Sequence, residues 1–250
     1  MCKLRLLFSS ALTAAGFAAA MTLGAAGVQA APTTALYLDM DGSGSIGSTD
    51  FTTQVTAYSN ALGSYFAANP GAYGQVAIGG AVFGGDQAQF FPLTDITDST
   101  VLGNLMSAIT GLDPGRGGID TSATAIGNAI GLASLALNAY QASLGAGTNL
   151  NLIVDVTTDG QNNLGVDPAS EATSLVGGGV LDQVNCLGIG AGADCSFVNG
   201  AGTNYGSVDF AHLEAALDAK ITQETIPEPA TLLLFGAGLA GLGLIRRKLA

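Results

Sequence analysis

The sequence contains no tryptophan, one histidine and only seven lysine and arginine residues, against nineteen aspartate and glutamate residues. The resulting net charge of −12 repels phosphate groups, which argues against nucleic-acid binding. Charged residues make up 10% of the chain and hydrophobic residues 48%, a balance that argues against intrinsic disorder. The single histidine, His212, has no recognisable nucleophile or orienting partner, so we expect a binding protein and not an enzyme.

Most of the basic residues lie at the two ends of the chain, whereas all nineteen acidic residues lie between Asp39 and Glu228. At the N-terminus, Lys3 and Arg5 precede a nearly continuous apolar run, and small residues follow at the position that signal peptidases cleave. We therefore predict that residues 1–30 are a secretory signal peptide.

At the C-terminus, the motif Pro227-Glu228-Pro229 precedes sixteen apolar or small residues, 230–245, and an Arg-Arg-Lys tail. A helix of that length is about 24 Å long, which is short for a hydrocarbon core of about 30 Å. The tripartite pattern over 226–250 resembles the PEP-CTERM sorting signal of Gram-negative bacteria. The resemblance implies export, transient anchoring in the inner membrane through a transmembrane helix over 230–245, processing by an exosortase, and delivery to the outer surface or extracellular matrix. An ordinary retained C-terminal anchor is the alternative.

Two cysteines remain after the predicted cleavage, Cys186 and Cys195, and a glycine-containing stretch separates them. Exported proteins fold in an oxidising compartment, where such a pair forms a disulfide. The body of the chain has no Cys-x-x-Cys motif that would favour a metal site instead. We predict a disulfide between these residues.

The body, residues 31–225, alternates between strand-like and helix-like segments. Such alternation predicts one α/β domain, a doubly wound and mostly parallel sheet with helices on both faces, and ligands in these folds bind at the carboxyl ends of the strands. The predicted strands are 35–38, 75–83, 88–93, 150–157 and 184–189, and the predicted helices are 50–68, 97–110, 122–144, 168–176 and 208–221.

The loop after the first predicted strand, residues 39–50, is rich in glycine and in oxygen-bearing side chains. Its glycines fit the G-x-G-x-x-G pattern of dinucleotide sites, but two carboxylates at its mouth would oppose a pyrophosphate. The loop also fits the spacing of an EF-hand, with Asp39 at the first position and Asp50 at the twelfth. An EF-hand needs a helix that enters the loop, and residues 31–38 are strand-like. Calcium binding by Asp39 and Asp50 remains an alternative.

Three separated motifs resemble the von Willebrand factor A (VWA) family, and this resemblance spans the body. Asp41, Ser43 and Ser45 match the Asp-x-Ser-x-Ser loop of its metal-ion-dependent adhesion site, or MIDAS. Thr124 matches the threonine of the second loop, with Thr121 as an alternative, and Asp159 matches the aspartate of the third. The resemblance implies that Asp41, Ser43, Ser45, Thr124 and Asp159 form the site, some of them through water.

Neutral hydroxyls with few carboxylates suit Mg²⁺, which keeps several waters and accepts an outside ligand; Mn²⁺ and Ca²⁺ are the other candidates. The resemblance implies an exported adhesion protein, whose cation binds a carboxylate of an acidic protein or matrix ligand. Two alternatives stay open. One is a secreted calcium-binding structural protein that uses the EF-hand-like loop, and the other is a hydrolase of matrix polymers.

Overall fold

The computed structural model describes residues 31–225. The predicted signal peptide, the sorting motif Pro227-Glu228-Pro229 and the predicted membrane helix 230–245 lie outside the described residues. Within 31–225, no helix is both long and apolar enough to cross a bilayer.

Strands and helices alternate along most of this region. The elements are β1 (Thr34–Asp41), α1 (Ser48–Ala68), β2 (Val76–Phe83), β3 (Gln87–Asp95), α2 (Ser99–Thr110), α3 (Ile126–Ser143), β4 (Asn151–Thr158), α4 (Pro168–Gly177), β5 (Gln183–Ile189), β6 (Asn204–Val208) and α5 (Leu213–Thr225). The six strands form one sheet in the order β3-β2-β1-β4-β5-β6. Only β3 is antiparallel to its neighbour. The predicted doubly wound, mostly parallel α/β fold is confirmed.

The sheet is covered on both faces, and its central strands are fully buried. Successive side chains of a strand point to opposite faces. In β1, Leu36 and Leu38 pack with α1, α2 and α5, whereas Ala35 and Tyr37 pack with α3 and α4. A strand that is apolar on both faces belongs in the middle of such a sheet, which is where β1 lies.

The last third of the body differs from the sequence prediction. The sequence predicted a helix from 208 to 221, but residues 204–208 form the edge strand β6 and the helix α5 runs from Leu213 to Thr225. The segment Asn-Tyr-Gly-Ser-Val has few residues that favour strands, and its Gly206 has a φ of +77°. Pairing with β5, and not local preference, makes it a strand.

Strand register brings the predicted metal-binding loops together. In the parallel pair of β1 and β4, Met40 lies opposite Thr157, so the next residues of the two strands, Asp41 and Thr158, are also neighbours. Asp159 follows immediately. The carboxyl ends of parallel strands lie at the same edge of a sheet, and the loops that leave this edge hold the candidate site.

Candidate metal centre

Asp41 ends β1 beneath the first loop and is completely buried. Its Oδ1 accepts a hydrogen bond from the backbone N–H of Ser43 at 2.8 Å, and its Oδ2 accepts one from Thr158 Oγ1 at 2.6 Å. Burial raises the pKa of Asp41, although the hydrogen bonds from Ser43 and Thr158 act in the opposite direction. The carboxyl group is therefore held in one orientation by the first and third loops.

A chain of oxygen atoms connects the first loop to the third. Ser43 Oγ lies 3.0 Å from Ser45 Oγ, and Ser45 Oγ donates a hydrogen bond to Asp159 Oδ1 at 2.7 Å. Ser45 and Asp159 are 114 positions apart in the sequence, so the fold alone brings them together. The arrangement places two hydroxyl oxygens and a carboxylate oxygen within reach of one cation.

The second loop contributes Thr124, which lies two residues before α3 and is 4% exposed. Its N–H donates to Asn163 Oδ1 at 2.8 Å, and its carbonyl accepts from the N–H of Asn163 at 3.0 Å. Thr121 is exposed, and its carbonyl accepts from the N–H of Gly44 at 2.8 Å. The second loop thus holds Thr124 through Asn163, and the carbonyl of Thr121 supports the first loop. Helix α3 starts later than the sequence predicted because residues 122–125 form this loop.

The three loops border an open pocket of about 180 Å³. Its lining consists of hydroxyl-bearing, amide-bearing and small residues: Ser43, Gly44, Ser45, Thr121, Ser122, Ala123, Thr124 and Asn163. Three of the five predicted ligands line it directly, and Asp159 is hydrogen-bonded to one of them. No group of three or more carboxylate, histidine or cysteine side chains that could hold a metal occurs in residues 31–225. The oxygen atoms that the three loops bring together are therefore hydroxyls and the carboxylates of Asp41 and Asp159.

The two residues of the alternative calcium loop lie elsewhere. Asp39 is fully buried within β1, where Gln87 Nε2 donates to its Oδ1 at 2.8 Å. Burial, together with the negative charge of Asp155, raises its pKa well above the usual range. Asp50 lies in the first turn of α1. Neither residue lines the pocket, and a strand, not a helix, enters the loop.

Sequence reasoning missed three residues that support the site. Asn163 ties the second loop to the third, Gln54 Nε2 donates to the carbonyl of Asp41 at 3.1 Å, and Arg116 donates to carbonyls of the first loop. All three act on backbone atoms, which no sequence motif records. The only available signal is the run of amides that follows Asp159 and Gly160, since Asn side chains in loops often bond to backbone groups.

The cysteines are joined by a disulfide between Cys186, in β5, and Cys195. The intervening loop packs against the third loop of the candidate site, because the N–H of Asp194 donates to the carbonyl of Gly160 at 3.1 Å. The disulfide therefore closes a loop that borders the candidate site.

The family described as "Protein of unknown function (DUF1194)" matches residues 31–206. The chain belongs to the DUF1194 family. A second match, to the PEP-CTERM protein-sorting motif, covers residues 225–248 and indicates that this DUF1194 member is an exported protein of a Gram-negative bacterium. No curated protein matches the sequence significantly.

Solved structures share the fold of this DUF1194 member. Proximal thread matrix protein 1 from the mussel byssus, solved with zinc in its MIDAS motif, has a TM-score of 0.58 and 20% identity over 77% of this chain and 47% of that chain. The von Willebrand factor type A protein from Catenulispora acidiphila has a TM-score of 0.59 and 14% identity, over 78% of this chain and 43% of that chain.

The manganese-loaded TRAP protein of Plasmodium vivax has a TM-score of 0.54 and 20% identity, over 76% of this chain and 73% of that chain. At these identities the likeness shows a VWA-type fold. The DUF1194 member spans about half the length of the mussel protein that it matches.

Proposed function

We propose that this protein binds a divalent cation through Asp41, Ser43, Ser45, Thr124 and Asp159 and uses the cation for adhesion outside the cell. The hydrogen bond of Ser45 with Asp159 carries the proposal, because it joins the first and third loops in one oxygen-lined pocket. The metal-loaded mussel and Plasmodium structures support it, since they share the fold and hold zinc and manganese. The sorting motif supports a role outside the cell, after processing by an exosortase.

The proposed ligand is an acidic group on a protein or matrix polymer. A hard cation with three neutral hydroxyls and only two carboxylates among its ligands, some of them bound through water, keeps exchangeable waters, so a carboxylate from outside can complete its coordination. The pocket lining has no lysine or arginine that would bind the acid without the metal. Binding of the acidic ligand should therefore depend on the cation. We propose binding, and not catalysis, as the activity of the domain.

Metal titration of four variants tests the site. Asp41→Ala and Thr124→Ala should reduce the affinity for Mg²⁺ and Mn²⁺ at least tenfold, measured by isothermal titration calorimetry on the purified exported form. Asp50→Ala, which removes a carboxylate outside the pocket, is the matched control and should bind as the natural protein does. Asp39→Ala tests the calcium-loop alternative, and circular dichroism should accompany it because Asp39 is buried.

Two results would decide against the proposed site. A natural protein that binds neither Mg²⁺ nor Mn²⁺ at millimolar concentration contradicts metal-dependent adhesion. The calcium-binding structural protein would be favoured by a different pattern. In that case Asp39→Ala and Asp50→Ala would fold but lose Ca²⁺ binding, and Thr124→Ala would bind Ca²⁺ as the natural protein does.

A further inference from the structure

Arg116 is one of only two basic residues in the described region, and its guanidinium group reaches the first metal-binding loop. Its Nη1 donates to the carbonyl oxygens of Gly42 at 2.8 Å and of Ser43 at 2.6 Å, and its Nη2 donates to the carbonyl of Ile46. One side chain thus binds three carbonyls of a loop whose serine hydroxyls line the pocket.

Two further features of Arg116 accompany these hydrogen bonds. The guanidinium lies over the ring of Phe51, with 4.7 Å between its central carbon and the ring centroid, and this ring belongs to the first turn of α1. The backbone of Arg116 has a φ of +47°, which lies in the left-handed region that residues other than glycine rarely adopt. Strained backbone of this kind persists where the surroundings hold it, and it often occurs at binding sites.

These contacts decide which atoms the loop offers to a cation. Calcium sites use backbone carbonyls freely and bind six to eight oxygens, whereas Mg²⁺ requires near-octahedral geometry and keeps its waters. The carbonyls of Gly42, Ser43 and Ile46 already accept hydrogen bonds from Arg116, and that of Asp41 accepts one from Gln54. The serines of the same loop, Ser43 and Ser45, line the pocket, and their hydroxyls bond to each other and to Asp159.

We propose that Arg116 is a positioning residue that makes the first loop present serine hydroxyls instead of backbone carbonyls, and thereby favours Mg²⁺ over Ca²⁺. This inference rests on the proposed function, because it assumes that the pocket binds a cation. Arg116 does not touch the cation in this assignment; it acts through the loop backbone.

Two variants and a chemical rescue test the inference. Arg116→Lys keeps the charge but cannot bridge the separated carbonyls, and Arg116→Ala leaves space for a free guanidinium ion. In both, the dissociation constant for Mg²⁺ should rise about tenfold, while that for Ca²⁺ rises less, so that the preference for Mg²⁺ falls. Millimolar guanidinium chloride should restore Mg²⁺ binding to Arg116→Ala. Guanidinium chloride should not change the Mg²⁺ affinity of Thr158→Val, because the defect of that variant lies next to Asp41 and not at Arg116.

The outcomes separate this inference from the proposed function. If the natural protein binds Mg²⁺ and both folded variants bind Mg²⁺ and Ca²⁺ with unchanged constants, Arg116 does not position the loop. If both variants lose affinity for the two ions equally and guanidinium does not rescue Arg116→Ala, the role is general support of the fold and the inference is wrong. If the natural protein binds no divalent cation, the proposed function and the inference fail together.

Discussion

The ammonium group of Lys220, on α5, is paired with the carboxylate of Asp155, on β4, and both side chains are 0% exposed. The ammonium also donates to the carbonyl of Val156 at 3.2 Å. A buried charge is tolerated only with a partner, so this pair makes the position of the last helix dependent on the central sheet.

Removal of one partner of this pair should destabilise the domain severely. In Lys220→Met the carboxylate of Asp155 stays buried without its cation, and we expect a loss of about 3–5 kcal/mol in the free energy of unfolding. Urea denaturation followed by circular dichroism measures it. The double variant Lys220→Met with Asp155→Leu removes both charges and should recover much of the stability. Equal stability of the natural protein and Lys220→Met would show that the pair does not hold the helix.

The stability of the domain should also depend on pH through Glu224. Burial raises the pKa of Glu224 well above its ordinary value of 4.5, and the nearby negative charge of Asp155 adds to the effect, while Lys220 opposes it. The folded protein therefore binds this proton more tightly than the unfolded chain. The stabilisation that this proton provides is fully present below about pH 4.5, the ordinary pKa. It is lost as the pH rises through the raised pKa of Glu224 in the folded protein.

Glu224→Gln, which cannot ionise, should remove this part of the pH dependence. The amide can still bond to Asn185, whose Nδ2 lies 2.8 Å from Glu224 Oε1. Urea denaturation between pH 4.5 and pH 8 should give a flatter stability profile for Glu224→Gln than for the natural protein. The exposed Glu214→Gln is the control and should keep the natural slope. Identical slopes for all three proteins would contradict the assignment.

Thr158 should matter for metal affinity although it is not one of the proposed ligands. Its hydroxyl fixes Asp41 Oδ2, and loss of a group that orients a metal ligand typically reduces affinity 10–100-fold. We therefore expect Thr158→Val to bind Mn²⁺ at least ten times more weakly, measured by calorimetry.

The neighbouring residue provides a matched control for that substitution. Thr157 lies one position earlier in β4, points to the opposite face of the sheet and hydrogen-bonds with Tyr58. Thr157→Val should lower the stability and leave the Mn²⁺ affinity unchanged. If the two variants changed affinity alike, the loss would reflect general damage to the sheet and not the orientation of Asp41.

The fold could be predicted from the sequence because it depends on local patterns, whereas the five proposed ligands follow from the resemblance of short motifs to the VWA family and remain a prediction. Buried parallel strands give short apolar runs, and the ligands belong to short motifs at the ends of those runs. The edge strand β6 could not be predicted in this way, since its residues favour a loop and only the pairing with β5 orders them.

The two interior basic residues show the same limit. Arg116 and Lys220 have no distinctive sequence context, and the sequence alone assigned neither of them a role. Arg116 contacts backbone carbonyls of the first loop, and Lys220 contacts an aspartate 65 positions away. Only the three-dimensional fold shows these contacts. Asp39 is similar. Its place in the loop pattern suggested a metal ligand, whereas in the structure it lies inside β1 against Gln87.

The course of α5 has a consequence for how the domain is displayed. The helix begins after β6, on the same side as the candidate metal centre, and ends at Thr225, whose side chain contacts Tyr65 in the last turn of α1. Helix α1 is 21 residues long and its first turn lies beside the first loop of the candidate site, so Tyr65 is at the far end of the helix. The sorting motif starts where α5 ends. A tether attached at Thr225 would therefore leave the candidate metal centre at the opposite end of the domain, open to whatever approaches from that side.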